Sequence, residues 1–326
     1  MQFSQSANDF FATQTVLITG GAGFIGSHLT KQLASVGCNV KVIDDLSSGD
    51  AGRLQGVDVE FIEANILDDV AMAKAIQRCS TVFHLAAFVS VPESVARPEV
   101  CNQANVDGTA SVIKHAIKAE CGRIVFASSA ACYGPLPNVP SRESDELEPA
   151  SPYATSKVLG EQMLKELPQD LDGVSLRFFN VFGKGQHANS DYAAVVSAFL
   201  DAKSHGKQPT IFGDGSQTRD FVHVSNIVYA CMLAGAKQTN FQGAAFNVGT
   251  GQGMSINALA KVIFGDDVTP SYQPMRQGDV LHSCASIDAI QEAIGFQCVT
   301  DTADAMNAMV NPKPQSCCSR QSTQCR

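Results

Sequence analysis

Short apolar runs rich in Val and Ile alternate with stretches of helical periodicity along the first half of the chain. Val16-Leu17-Ile18, Val40-Lys41-Val42-Ile43, Val59-Glu60-Phe61-Ile62, Val82-Phe83-His84-Leu85, Arg123-Ile124-Val125-Phe126 and Val174-Ser175-Leu176-Arg177-Phe178 read as strands. Helical patterns fall over about residues 24–36, 70–77, 106–119 and 153–167. Strands that are apolar almost throughout must be covered on both faces, which means a parallel sheet between helical layers. Right-handed crossovers then make the fold α/β with a doubly wound parallel sheet.

After about Asn180 the rhythm changes and the loops lengthen, as in Gly183-Lys184-Gly185-Gln186 and Gly213-Asp214-Gly215-Ser216. The pattern predicts a first domain over residues 1–180 and a smaller, discontinuous lobe over 181–310. A segment at about residues 225–250, with a helix from Ser225 and the strand Ala245-Phe246-Asn247-Val248, returns to the sheet. Residues 311–326, with Pro312, Pro314, Cys317, Cys318 and Cys325 among Ser and Gln, read as a disordered tail.

The 326 residues are 44% hydrophobic and 17% charged, an ordinary globular balance. A net charge of −9 argues against nucleic acid or an anionic membrane as partner. No apolar run reaches the roughly 18 residues needed to cross a bilayer, and residues 1–14 carry no signal-peptide pattern. The 11 cysteines are odd in number, lack any Cys-x-x-Cys, and form no Cys/His cluster with metal-ligand spacing. They read as reduced thiols of a cytoplasmic protein without a metal site.

Gly20, Gly23 and Gly26 follow the first strand and open a helix. One such glycine permits a tight turn, one lets the backbone approach a pyrophosphate, and one lets helix and strand pack closely. The phosphates would sit at the positive end of the helix. Asp44 ends the second strand, where a carboxylate accepts from a ribose hydroxyl pair and repels a 2′-phosphate. The predicted ligand is therefore NAD on a Rossmann-type fold, with Asp45 able to share or take the role of Asp44.

Tyr153 and Lys157 lie four apart at a helix start and so share a face. A phenol is a poor base at neutral pH, and a nearby ammonium favours its phenolate. Ser129, with Ser128 behind it, stands at the carboxyl end of the strand through Phe126, where ligands of parallel sheets bind. A hydroxyl there is placed to hold an oxygen undergoing oxidation.

Further motifs extend this constellation. They are Thr19-Gly20-Gly21-Ala22-Gly23-Phe24-Ile25-Gly26-Ser27-His28-Leu29, His84-Leu85-Ala86-Ala87, Asn105-Val106-Asp107-Gly108-Thr109, Ser128-Ser129-Ala130-Ala131-Cys132-Tyr133-Gly134 and Ser151-Pro152-Tyr153-Ala154-Thr155-Ser156-Lys157. Arg177-Phe178-Phe179-Asn180-Val181-Phe182-Gly183, Gly213-Asp214-Gly215-Ser216-Gln217-Thr218-Arg219-Asp220-Phe221-Val222-His223-Val224, Asn247-Val248-Gly249-Thr250-Gly251 and Arg276-Gln277-Gly278-Asp279-Val280 follow. From about Thr15 to about Phe296 the chain resembles the extended short-chain dehydrogenase/reductases, specifically the NAD-dependent nucleotide-sugar epimerases.

The resemblance implies a UDP-sugar substrate and a tightly held NAD that is regenerated in each cycle. By it, Tyr153 removes the sugar 4-hydroxyl proton while hydride leaves C4, Lys157 is its electrostatic partner and ribose contact, and Ser129 bonds the 4-oxygen. The 4-keto sugar then rotates about its diphosphate link and takes hydride back on the other face. Gly20, Gly23, Phe24, Ile25, Gly26, Asp44, Asn65, Ile66, Leu85, Ala86 and Ala87 join Tyr153 and Lys157 around the cofactor. Many relatives have Asp where this chain has Asn65, whose carbonyl still suits the adenine amine. Asn180 and Arg219 match contacts to the nucleotide diphosphate, and Arg276 with Asp279 match a clamp on phosphate and uridine ribose. His84 and His223 read as core histidines. The likeness also implies a homodimer through the helices at 106–119 and 153–167.

A 4,6-dehydratase, and usually a sugar-acid decarboxylase, carries an acidic residue just after the serine motif; here Ala130 and Ala131 stand there. Plain 4-epimerisation is favoured. Ser283, the fourth residue after Asp279, matches a pocket position near the sugar 2-substituent, where a small side chain admits an N-acetyl group. With Tyr192-Ala193-Ala194-Val195, this predicts a 4-epimerase of UDP-N-acetylglucosamine or its uronic acid, with UDP-glucose, a dehydratase or decarboxylase reaction, and a catalytically silent NAD-binding sensor as alternatives.

Overall fold

The computed structural model describes residues 4–186, 195–275 and 279–311. Its strands are β1 (Thr15–Thr19), β2 (Asn39–Asp44), β3 (Glu60–Glu63), β4 (Thr81–His84), β5 (Arg123–Ser129), β6 (Asp172–Phe178), β7 (Asn180–Phe182), β8 (Thr210–Phe212), β9 (Thr218–His223), β10 (Ala244–Val248), β11 (Gly253–Ser255) and β12 (Ser271–Gln273). Its helices are α1 (Gln5–Phe11), α2 (Phe24–Ser35), α3 (Asp69–Ala75), α4 (Val91–Ala96), α5 (Pro98–Asn102), α6 (Gly108–Lys118), α7 (Pro152–Lys165), α8 (Val195–Ser204), α9 (Val224–Ala236), α10 (Ile256–Phe264), α11 (Asp288–Ile294) and α12 (Thr302–Val310).

Seven strands form one sheet in the order β10-β6-β5-β4-β1-β2-β3, and every pairing in it is parallel. This is the doubly wound, Rossmann-type sheet expected from the strand-helix alternation. Strand residues alternate between its two faces. Val16, Ile18, Phe83, Val125 and Ala127 pack with α2 and α9 on one side. Leu17, Val82, Ile124 and Phe126 pack with α3, α6 and α7 on the other.

Two features differ from the sequence expectation. The hydrophobic pattern assigns no element before Val16, yet α1 buries Phe11 against Phe83, ring centroids 5.9 Å apart, and beside Gly235 of α9. Seven residues are too few to display a period. The helix expected at 106–119 is also a more complex element. It begins at α5, passes through one π-helical turn at Gln103–Asp107, and continues as α6. The extra residue of that turn turns Asn105 inward, where its side chain bonds both backbone groups of Phe88 and the Ser156 hydroxyl.

Beyond the large sheet, β11, β9 and β7 form a second sheet and β12 pairs with β8. A separate core of Phe182, Phe199, Ile211, Phe221, Leu259 and Ile263 lies beneath them. Asp220, fully buried, ties this region together: its carboxylate accepts from the amides of Thr250, Gly251 and Ala285 and from the Thr250 hydroxyl.

Candidate active site

The carboxyl ends of β1, β2, β4, β5 and β6 define the edge on which the predicted residues gather. Gly20 leaves β1 at φ +70°, and a Cβ there would lie 2.7 Å from the Ala86 nitrogen. The turn therefore closes against the chain after β4, and only glycine fits. A Cβ on Gly26 would collide with the Gly20 carbonyl, so α2 starts hard against the turn. Gly23 is the N-cap residue of α2, and no side chain caps that end. By contrast, Ser151 caps α7 by accepting from the Ala154 amide at 3.1 Å. The uncapped first-turn amides of α2 suit the pyrophosphate of a dinucleotide.

Asp44 is buried and turned toward the turn itself, accepting from the Ala22 amide at 2.9 Å and the Leu46 amide at 2.9 Å. Each carboxylate oxygen keeps further acceptor capacity. Asp45 points elsewhere, accepting from the Ser47 amide and from the Asn65 side chain at 2.8 Å. The Asn65 carbonyl, expected to face adenine, accepts from the Leu67 amide at 2.9 Å. The Ile66 side chain packs into the core against Gly108. Phe24 stands edge-on to His28 at 5.8 Å, Ile25 packs toward the core, and Leu85 and Ala86, followed by Ala87, run against the turn at Gly20.

His84 links the turn to α6. The Thr109 hydroxyl donates to the Asn105 carbonyl at 2.5 Å, so it accepts from His84 Nε2 at 3.0 Å. Nδ1 must then accept from the Thr19 hydroxyl at 2.8 Å, and Thr19 in turn accepts from the Ala86 amide. The ring is neutral with its proton on Nε2. Burial, helped by the Lys157 charge, pushes its pKa down to about 3. As expected for a core histidine, it holds structure; His223 likewise spends its ring on the Ser225 hydroxyl at 2.7 Å, with burial lowering it to about 4.

Ser129, Tyr153 and Lys157 come together. Pro152 at the first turn and the Ser151 cap start α7, and Gly160 lets it settle on the Phe126 ring. Lys157, 4% exposed, donates from Nζ to the Ala127 carbonyl at 2.8 Å and lies 5.8 Å from the centre of the Tyr153 ring. Burial lowers the Lys157 ammonium to about 8. Burial also raises the Tyr153 phenol to about 12, against a hydrogen bond with Ser129 that works the other way. The site thus holds a phenol and a cation, both poorly solvated, beside a hydroxyl.

Behind them lies a buried cluster that motif reading overlooked. Glu161, one turn below Lys157, accepts from Arg177 Nε at 2.9 Å, from Arg177 Nη2 at 2.7 Å and from the Ser128 hydroxyl at 2.5 Å. Arg177 Nη1 donates to the Tyr133 hydroxyl at 2.9 Å, which donates to Asn247 Oδ1 at 2.6 Å. One signal was available: an arginine inside an otherwise apolar strand demands a buried partner.

On the substrate side, Asn180 opens β7 and is exposed. Arg219, half-buried, donates to the Thr218 carbonyl at 2.9 Å; burial lowers its guanidinium, and Asp279 opposes that shift. Ser283 is half-buried, and its amide donates to the Thr218 carbonyl at 3.1 Å, beside Arg219. Arg276 and Tyr192-Ala193-Ala194 lie outside the described residues, as does the expected tail from residue 312. Among the described residues no group of three or more His, Cys, Asp or Glu side chains is arranged to hold a metal, and no helix is long and apolar enough to cross a membrane. The eight described cysteines are free thiols, seven buried and Cys298 exposed.

The model of the NAD-dependent epimerase/dehydratase family matches residues 16–249. A UDP-glucose 4-epimerase of Mycolicibacterium smegmatis is 38% identical over 292 residues, which covers 86% of this chain and 92% of that one. Among solved structures, a UDP-N-acetylglucosamine 4-epimerase from Methanobrevibacter ruminantium, in complex with UDP-N-acetylmuramic acid, superposes with a TM-score of 0.86 at 37% identity, covering 91% of this chain and 97% of that one. The UDP-glucose 4-epimerase of Thermus thermophilus, in complex with NAD, gives 0.82 at 30% identity, with the same coverage. A family match over more than half the chain, on a glycine turn and sheet of this geometry, leads to one conclusion: the chain belongs to the NAD-dependent epimerase/dehydratase family, as an extended short-chain dehydrogenase/reductase with NAD as its cofactor.

Proposed function

We propose that this NAD-dependent nucleotide-sugar 4-epimerase acts on UDP-N-acetylglucosamine or its uronic acid. The observation that carries the sugar assignment is Ser283, a small, half-buried side chain on the segment bonded to Thr218, next to Arg219. A tyrosine at that position would fill the space that an N-acetyl group needs. The likeness to the Methanobrevibacter UDP-N-acetylglucosamine 4-epimerase supports the same reading. Ala130 and Ala131, where a dehydratase needs an acid, favour epimerisation.

NAD supplies, when bound on the glycine turn, the acceptor and donor of the hydride that leaves and returns to sugar C4. Tyr153 takes the 4-hydroxyl proton at Oη and returns it at the end of the cycle. Ser129 holds the 4-oxygen by a hydrogen bond, so that the proton moves along a fixed line. Burial holds the phenol near 12, too high for a base at neutral pH. The Lys157 ammonium, held by the Ala127 carbonyl, favours the phenolate and supplies the charge that burial withholds. Arg219 counters the diphosphate while leaving the sugar free to turn. Asn180, Arg276 and Asp279 complete the nucleotide contacts in this reading. A homodimer through α6 and α7 is inferred too, supported by the exposed Ile117 and Leu159, and sedimentation of the holoenzyme checks it.

Turnover of UDP-N-acetylglucosamine, its uronic acid and UDP-glucose by the purified holoenzyme tests the sugar assignment. The N-acetylated sugars should be converted, and Ser283→Tyr should depress them about 10- to 100-fold relative to UDP-glucose, the scale of pocket-shape discrimination. Absence of any N-acetylated turnover refutes the assignment.

A further inference from the structure

We propose that Glu161, Arg177 and Tyr133 are positioning residues that hold the reacting hydroxyls of Ser129 and Tyr153 in line. The proposal rests on the 4-epimerase reading. It starts from the docking of α7 on β5. Lys157 grips the Ala127 carbonyl and Glu161 grips the Ser128 hydroxyl, so two successive residues of β5 are fixed by two successive turns of α7. Ser129 is the next residue, and Tyr153 is one turn above Lys157. Without the Glu161 contact, the strand end that carries Ser129 keeps its pairing to β6 but loses one of its two side-chain anchors to α7.

Arg177 fixes Glu161 in turn, with two parallel bonds at 2.9 and 2.7 Å from the neighbouring strand. In the parallel register Arg177 is paired with Ser128, so the three groups close a ring across β5, β6 and α7. Tyr133 carries the chain onward to Asn247, whose side-chain amide donates to the carbonyls of Ser141 at 3.0 Å and Ser286 at 3.2 Å. Ser286 is three residues from Ser283. One run of hydrogen bonds therefore joins Ser128, the residue before Ser129, to the segment proposed to line the sugar. Its members are buried, and a displacement of one is not absorbed by solvent.

Tyr133→Phe removes one hydroxyl from the middle of this run and keeps the ring. A second variant, Glu161→Met with Arg177→Met, replaces the ion pair by apolar groups, a change that often leaves stability intact. For the sugar that wild type turns over, kcat of Tyr133→Phe should fall about tenfold with KM within about twofold, as expected for a small misplacement of reacting groups. The rise of kcat with pH should move upward, because Tyr153 loses alignment with the Ser129 hydroxyl that favours its ionised form. Hydrogen exchange of the Ala131 amide, bonded to Ser129 Oγ at 3.2 Å, should speed up even where no sugar is present. Wild-type kcat, pH profile and Ala131 exchange in Tyr133→Phe would overturn the proposal, as would full kcat in a folded double-Met variant; if that variant does not fold, Tyr133→Phe decides alone. A wild-type enzyme silent on every UDP-sugar would sink the function reading, and Ala131 exchange would still decide the positioning role.

Discussion

Lys157 is expected to cost the protein stability in order to serve its site. Its ammonium is buried, with a value near 8 in the folded protein against 10.5 in the open chain. Charging it in the folded state is therefore about 3 kcal/mol less favourable than in the unfolded state. Lys157→Met removes that penalty and forfeits the bond to the Ala127 carbonyl, a loss of about 1 kcal/mol. At pH 7 the NAD-stripped variant should be more stable than wild type by about 2 kcal/mol in urea unfolding. The sign with pH follows from proton counting. Between about 8 and 10.5 the unfolded chain keeps the lysine proton while the folded protein has released it, so wild-type stability rises through that window. Below 8 the penalty is present in full. The gap between variant and wild type should thus be constant from pH 6 to 7.5 and close toward pH 10. Turnover should fall at least about 100-fold at every pH, the scale of a lost proton-transfer partner. A variant less stable than wild type at pH 7, or a gap that does not close with pH, would show that the buried charge is not what Lys157 costs.

Two other substitutions probe the same site. Tyr153→Phe should fold and bind NAD as wild type does while kcat falls by about 100- to 10,000-fold, and unchanged turnover would refute its role as the base. His84→Leu should destabilise by about 2 kcal/mol at pH 7, since the Thr19 and Thr109 hydroxyls lose partners in the core. Wild type should also lose stability as pH falls from 6.5 toward 3, where the unfolded histidine takes up a proton that the folded one refuses, and the variant should lack that part of the acid slope. Equal denaturation midpoints and acid limbs for the two proteins would refute the neutral bridging histidine.

Much of the site was legible because its signals are local. Gly20, Gly23 and Gly26 fall within seven residues and need only a strand before them and a helix after. Tyr153 and Lys157 face the same way because any α-helix places positions four apart on one face. Ser129 is marked by its place at the end of an apolar strand. Asn65 and Ile66 were harder to read. Whether an amide faces a ligand or its own turn depends on Asp45 and Leu67 in space, and Ile66 is claimed by the core through Gly108. The π-helical turn at Gln103–Asp107 leaves the apolar period nearly intact, so no pattern distinguishes it from a plain helix.

By itself, the sequence determined the alternation of strands and helices, the two buried faces of the sheet, the glycine turn and the Tyr-Lys pair. These follow from side-chain periods of two and 3.6 residues and from the backbone freedom of glycine, which neighbours along the chain express. Only the tertiary structure decided that the returning strand β10 takes its place beside β6, that Arg177 meets Glu161, and that Tyr133 reaches Asn247, 114 residues away. Such pairings arise when distant segments are packed together and a buried polar group must take whichever partner the packing brings. No spacing along the chain encodes that choice.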